Sequence, residues 1–372
     1  MDFSKLEEFL DTLPGIGIPT GDMTVWQNHK EIYRHSTGIY GLPDPDGLYY
    51  LYSNSKIITV CAAMTLFEKG EFVMSTPVAD FLPEYADYQV MAGGGIYTVP
   101  GKKPITMKDL FCMTSGLGFD VSHPLIAEAV EKTGGRCPTR EFIREIARIP
   151  FSYEPGERYL YGFSHDILAA VVEEISGESF NSYVKHSILD PLGMKNTTFV
   201  ATDEVKAKMV PEYIFNDRQN KAMDAHCMNP YVFGPEYESG GAGGISSLND
   251  MATLADALTN FGMGANGNRI LRKETVEYMR TPKLTPAQRS TFAWKHLIPS
   301  YTYGLGMRVL DNPYGHIHMP VGEFGWAGAA GALFVCSPEL GISAYYAQHM
   351  LNDKEDYVHP RLLNLLAECC GN

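Results

Sequence analysis

Ser53 and Lys56 stand three residues apart at the head of an apolar run, and a hydroxyl beside an amine is a nucleophile beside a base. From Ile57 to Phe67 only Thr59 and Thr65 interrupt the apolar residues, and Lys56 is the only charge between Ser53 and Phe67. The stretch predicts one helix from about residue 52 to 69, ended by Gly70 and buried on nearly all sides because it lacks a broad polar face. On a helix, residues three apart share a face, one turn from each other. Two environmental effects give such a pair its chemistry. A lysine in apolar surroundings is penalised in its charged form and can act as a base near neutral pH. A serine at a helix N-terminus sits beside backbone N–H groups without intrahelical partners, which suits the stabilisation of an oxyanion.

S-x-x-K is a cheap pattern, and about one chance match is expected in a chain of this composition. Ser182 and Lys185 match as well, within a polar-studded amphipathic stretch over 179–186 that reads as a surface helix. The bland alternative for Ser53 is a helix cap with a lysine reaching back to water. The buried context of the first match separates the two and favours Ser53.

The elements that must position this pair are ordered simply. Residues 3–12 predict a short amphipathic helix with Phe3, Leu6, Phe9 and Leu10 on one side. Strands over 24–27 and 31–33 flank a turn at Asn28-His29-Lys30, and a third strand is expected to end in Gly38-Ile39-Tyr40-Gly41. Beyond Gly70, the 76–83 and glycine-rich 91–95 stretches read as surface loops. A capping box at Thr106 and Asp109 starts a short helix, and further helices are readable over 124–132, 139–147, 164–176 and 180–189. Gly240-Gly241-Ala242-Gly243-Gly244 lacks the lysine of a phosphate loop and reads as a tight return. A helix from Ser247 to about Gly262 follows, then strands over 303–310, 331–335 and 342–347, and a closing helix over 360–369. Strands therefore come at both chain ends and helices between them. The economical fold is α+β, of the α/β sandwich type: an antiparallel sheet flanked by helices, built from residues 1–60 and 236–372, with a mainly helical insertion over 61–235 and the site between the two.

Composition sets outer bounds. The 372 residues are 45% hydrophobic and 12% aromatic, enough to fill a substantial core. A formal charge of −14 disfavours nucleic acid or an anionic membrane as partner and points to small substrates that are not polyanionic. No run is long enough to span a bilayer. Seven scattered cysteines, with no C-x-x-C, argue for reduced thiols and a cytoplasmic setting, and Cys369-Cys370 reads as a fraying tail. His316-Ile317-His318 has only Glu323 near it to complete a zinc set, so these are read as surface or loop histidines.

Taken in order, Ser53-x-x-Lys56, Pro155-Gly156-Glu157-Arg158-Tyr159-Leu160-Tyr161, Ser239 to Asp250 and Trp326-Ala327-Gly328 resemble the serine β-lactamase and penicillin-binding-protein-like superfamily, its class C-like esterase branch above all. Met113-Thr114-Ser115-Gly116-Leu117 and Pro191-Leu192-Gly193-Met194 add non-catalytic landmarks, and the resemblance runs from about residue 20 to 350. It implies that Tyr161 is the tyrosine of a Tyr-x-Asn motif and shares base duty with Lys56, with Tyr159 as the rival two positions away. Phe163 stands where that motif has asparagine, which weakens a lactamase reading. Trp326-Ala327-Gly328 takes the place of Lys-Thr-Gly, so Phe163, Trp326 and Gly328 are expected to touch substrate. The backbone N–H groups of Ser53 and Ala329 are expected to form the oxyanion hole.

The resulting expectation is a serine hydrolase that cleaves a small-molecule ester or amide, carboxylesterase-like with weak or no β-lactamase activity, and requiring no metal or organic cofactor. A D-aminopeptidase, peptidase or acyltransferase on the same scaffold is the nearer alternative. A Ser-His-Asp hydrolase is more distant, since no G-x-S-x-G occurs and His165 has only its nearness to Tyr161. A scaffold that kept the fold and lost the chemistry is the non-enzyme alternative. The oligomeric state is left open.

Overall fold

A computed structural model describes residues 1–39, 41–44, 46–226, 228–296, 299–313 and 317–371. The chain runs α1 (Ser4–Thr12), β1 (Thr20–Gln27), β2 (Lys30–Gly38), β3 (Leu48–Tyr50), α2 (Ser55–Lys69), β4 (Gln89–Ala92), β5 (Tyr97–Pro100), α3 (Met107–Phe111), α4 (Pro124–Lys132), α5 (Thr139–Ile146), α6 (Ser164–Ser176) and α7 (Phe180–Val184). It continues through α8 (Asp190–Leu192), α9 (Asp203–Lys206), β6 (Tyr213–Asn216), β7 (Lys221–Asp224), β8 (Ile245–Ser247), α10 (Leu248–Thr259), α11 (Lys273–Met279) and α12 (Pro286–His296). The last elements are β9 (Tyr301–Tyr303), β10 (Arg308–Leu310), β11 (Phe324–Ala327), β12 (Leu333–Ser337), β13 (Ile342–Ala347), β14 (Met350–Leu351) and α13 (Glu355–Cys370).

Seven strands form one antiparallel sheet in the order β2-β1-β13-β12-β11-β10-β9. Both chain regions build it, because β1 pairs with β13 from Asp22 opposite Ala347 to Gln27 opposite Ile342. Every residue of β12 and β13 is buried, as a continuous apolar run predicts for strands covered on both faces. α10 packs on β1, β12 and β13, while α1 packs on β2 and α13. Across the molecule α2 packs on α6 and α7, so the helix that starts after Ser53 is enclosed.

The turn between β1 and β2 places Asn28 and His29 at φ 51° and 65°, the left-handed pair that a two-residue hairpin requires. Several expectations change in detail. No separate third strand ends at Gly38; β2 itself runs on to that residue, and Tyr40 lies outside the described residues. Met91 and Ala92 are strand, paired with Tyr97 and Thr98 across the glycine turn. The 303–310 strand is two, because Gly306, at φ 76°, turns the chain between β9 and β10. The hairpin β6–β7 and the pair β3–β8 have too few residues and too little alternation to show in the sequence. α13 begins before Pro360 and carries it in its interior. Cys369 and Cys370 are buried on that helix rather than frayed.

Candidate active site

The head of α2 carries a strained backbone. One turn of 3-10 helix, Tyr52–Asn54, leads into the helix, and Tyr52 sits at φ 47°. That left-handed conformation costs a residue with a Cβ on the order of 1–3 kcal/mol and persists only where surroundings hold it. Ser53 is therefore not the α-helix cap itself but the middle residue of a tight turn before it. The same turn leaves its backbone N–H, like that of Ala329, donating to nothing among the described residues.

Lys56 follows one turn later, only 1% exposed. Its Nζ donates to Ser53 Oγ at 3.3 Å and to the Gly241 carbonyl at 2.5 Å. The glycine run thus has a specific task. Thr59 Oγ1 donates to the Gly240 carbonyl at 2.7 Å, and Gly244 donates its N–H to Ser55 Oγ at 2.9 Å. A Cβ on Gly241 would lie 2.3 Å from Asp166 Oδ2, so only glycine lets this backbone reach the helix. Asp166, which sequence reasoning missed, holds the run from beneath by accepting from Gly241 N–H at 3.2 Å, Ser239 Oγ at 2.5 Å and Tyr237 Oη at 2.7 Å. The buried carboxylate one turn into an apolar helix was the available signal.

Tyr161 arrives from the loop before α6. Its hydroxyl donates to Ser53 Oγ at 2.6 Å, and its ring centroid is 4.6 Å from Lys56 Nζ. The landmark at 113–117 explains how the loop is placed. Leu160 donates its N–H to the Met113 carbonyl at 2.8 Å, and Gly162 crosses so close to Leu117 that a Cβ would come 2.0 Å from the Leu117 carbonyl oxygen. Trp326 lies parallel to Tyr161, centroids 5.8 Å apart, and its indole N–H donates to the Tyr161 hydroxyl oxygen at 3.3 Å.

The rival residues are elsewhere. Tyr159 is buried edge-on against Phe292 and Tyr303, and burial raises its hydroxyl well above the usual tyrosine range. His165 is buried with Nε2 facing the Phe111 carbonyl at 3.5 Å; burial, with help from the Lys56 charge, pushes it down to about 3, so it is neutral. Phe163 departs from its expected place at the substrate. It is 1% exposed and packs between Phe119 and Phe142, because the first residues of α6 turn it into the core. Phe119 in turn stacks on Tyr231 and stands edge-on to Tyr161. Neither ring belongs to a motif that a single sequence exposes.

A cavity of about 240 Å³ opens on Ser53, Tyr161, Trp326, Gly328 and Ala329. Gly328 is required there, since a Cβ would sit 2.6 Å from the Leu51 carbonyl oxygen. The far wall is Ile317, Leu333, Pro360 and Leu363, with Glu355 and Asp356 at the exposed start of α13. Arg308 also faces the cavity, but it is buried and bonded to Glu323 at 3.0 Å, so its charge is matched. A wider hollow of about 630 Å³ beneath the β4–β5 hairpin is lined by no hydroxyl bonded to a lysine or tyrosine, and chemistry rather than size selects the smaller cavity. Ser182 and Lys185 lie over α7 and the π turn after it, where Lys185 bonds Asp190.

Among the described residues no three metal-ligating side chains cluster; His316 and Cys227 lie outside them. No helix among them is long and apolar enough to cross a membrane. The six described cysteines are unpaired and buried.

With the geometry in hand, comparison with known proteins gives a consistent answer. The sequence model of the Beta-lactamase family matches residues 6–368. The chain is similar to Protein Rv1367c of Mycobacterium tuberculosis, at 28% identity over 90% of this chain and 86% of that protein. It is also similar to Esterase EstB of Burkholderia gladioli, at 26% identity over 87% and 84% of the two chains. Among solved structures, Simvastatin Synthase (LovD) from Aspergillus terreus superposes with a TM-score of 0.82 at 19% identity, covering 99% of each chain, a likeness of fold.

Proposed function

We propose, on the premise that this chain belongs to the Beta-lactamase family, that it is a serine hydrolase cleaving small, neutral acyl esters through an acyl-enzyme on Ser53. One observation carries the reading: Ser53 Oγ lies 2.6 Å from the Tyr161 hydroxyl and 3.3 Å from Lys56 Nζ, so the nucleophile touches two proton-handling groups at once. The Lys56–Tyr161 pair takes the Ser53 proton as Oγ bonds the carbonyl carbon. The carbonyl oxygen becomes an oxyanion facing the Ser53 and Ala329 N–H groups, neither of which is spent on another acceptor among the described residues. As the C–O bond to the alcohol breaks, Tyr161 returns the proton to the leaving oxygen. Water then bonds the acyl carbon while giving a proton to the same pair, the bond from that carbon to Ser53 Oγ breaks, the pair returns the proton to Oγ, and the acid leaves.

The preference for neutral esters rests on charge. Trp326 carries none, Arg308 is matched by Glu323, and Lys56 is committed to the nucleophile and Gly241. A substrate carboxylate would lose hydration beside Glu355 and Asp356 with no free cation to meet it among the described residues that line the cavity. The similarity to an esterase agrees with this reading. The test is mass spectrometry of the protein during turnover of p-nitrophenyl butyrate. An acyl adduct on Ser53, absent from Ser53→Ala, is expected; undiminished hydrolysis by Ser53→Ala overturns the reading.

A further inference from the structure

Next to the nucleophile in the chain lies a buried polar pair that the reaction above does not use. The Tyr52 side chain points into a small apolar cluster with Leu48, Tyr50, Ile245 and Ala330, against which Ala329 packs. Its hydroxyl donates to Glu212 Oε1. Glu212 is 0% exposed and Tyr52 1%. A carboxyl sealed from water is costly, and burial pushes this one up to about 7 against the pull of the Tyr52 hydroxyl and a backbone N–H of Met228.

The connections of this pair lead to both N–H groups assigned to the oxyanion. Tyr52 is the left-handed residue whose conformation aims the Ser53 N–H, and a side chain fixed at both ends is what holds a strained residue in place. On the other side, Glu212 precedes Tyr213, which donates its N–H to the His349 carbonyl at 3.0 Å. Met350, next in the chain, donates to the Ala330 carbonyl at 3.0 Å and so fixes the loop that carries Ala329. His349 closes the ring, accepting from the Tyr50 N–H at 3.2 Å and giving its Nδ1 proton to the Val210 carbonyl at 2.9 Å.

We infer that the buried Tyr52–Glu212 hydrogen bond is a clamp that aligns the Ser53 and Ala329 N–H groups toward one point, making Glu212 a positioning residue for the oxyanion. This rests on the acyl-enzyme reading. An oxyanion hole is worth most when its donors are held before the charge arrives, so loosening the clamp weakens the tetrahedral state and leaves the resting ester complex alone.

The experiment compares wild type with Tyr52→Phe, Glu212→Leu and Glu212→Gln, measuring kcat and KM for p-nitrophenyl butyrate and inhibition by butylboronic acid, which forms a tetrahedral adduct on a reactive serine. Tyr52→Phe and Glu212→Leu are expected to lower kcat by about tenfold or more and to weaken boronate inhibition by a similar factor, with KM within about twofold. Glu212→Gln keeps the acceptor and is expected to recover most of what Glu212→Leu loses. Hydrogen exchange of the backbone over 48–56 and 324–333 is a second measurement, expected to quicken in both segments in Tyr52→Phe. Lower melting temperatures with kcat, boronate affinity and exchange at these segments unchanged would reduce the pair to a structural one and overturn the inference. Failure of the underlying reading looks different: wild type itself would form no adduct at Ser53.

Discussion

The indole N–H of Trp326 points at the hydroxyl oxygen of Tyr161 from 3.3 Å, while that hydroxyl donates its own proton to Ser53 Oγ at 2.6 Å. A residue expected from the sequence to meet the substrate therefore also holds the hydroxyl proposed to move the proton. Trp326→Phe keeps the stacked ring and removes the donor. One neutral hydrogen bond is worth about 0.5–1.5 kcal/mol, so kcat should fall by roughly two- to thirteenfold. An unchanged kcat would show that the bond is not made during turnover.

Lys56→Ala should abolish measurable hydrolysis in a folded protein. The variant removes the base and its buried charge together, so no unpaired charge is left behind. Lys56→Arg should be as inactive, because a guanidinium does not give up its proton near neutral pH. Circular dichroism beside the rate assay separates loss of chemistry from loss of fold.

Tyr161→Phe should lower the rate by about a hundredfold or more. Tyr159→Phe, buried against Phe292 and Tyr303 rather than at Ser53, should lower it slightly. Reversed results would move the base to Tyr159.

Measured side by side on one preparation, kcat/KM for p-nitrophenyl butyrate should exceed that for a chromogenic cephalosporin by on the order of a hundredfold or more, since the cephalosporin carboxylate meets no free cation among the described lining residues. Equal efficiency would reveal a carboxylate anchor and break the charge argument built on Trp326 and Arg308.

The carboxyl of Glu212 predicts a pH dependence of stability. Its folded value, about 7, lies above the ordinary 4.5, so the folded state holds a proton that the unfolded chain releases. Its contribution is fully present below pH 4.5 and is lost as pH rises toward 7. Glu212→Gln imitates the protonated form. The variant should therefore match wild type near pH 4.5 and gain on it up to pH 7, by at most about 3 kcal/mol. Urea melts at the two values measure the difference, and a gap that shrinks as pH rises contradicts the sign.

The adjacency of Ser53 and Lys56 was legible because it is local: three residues on one turn, flanked by a run with no other charge. The antiparallel sheet built from both ends was legible from the placement of strand patterns. Phe163 was not, since a motif position says which residue stands there and not which way its side chain turns; the start of α6 rotates it into the core. Asp166, Glu212 and Phe119 make contacts across long stretches of chain, which no spacing encodes. The break between β9 and β10 depended on a single backbone angle at Gly306, set by tertiary surroundings.

The pairing of β1 with β13 also has a history in time. During synthesis the hairpin β1–β2 and the nucleophile helix emerge early, yet the strand that continues their sheet and the helix that walls the cavity emerge after nearly all of the described chain. Until then Ser53 has no Trp326 above Tyr161 and no Ala329 beside it. A nascent chain on the ribosome consequently carries Ser53 without a finished site, and the proposed hydrolysis can begin only when the last-made strands dock against the first.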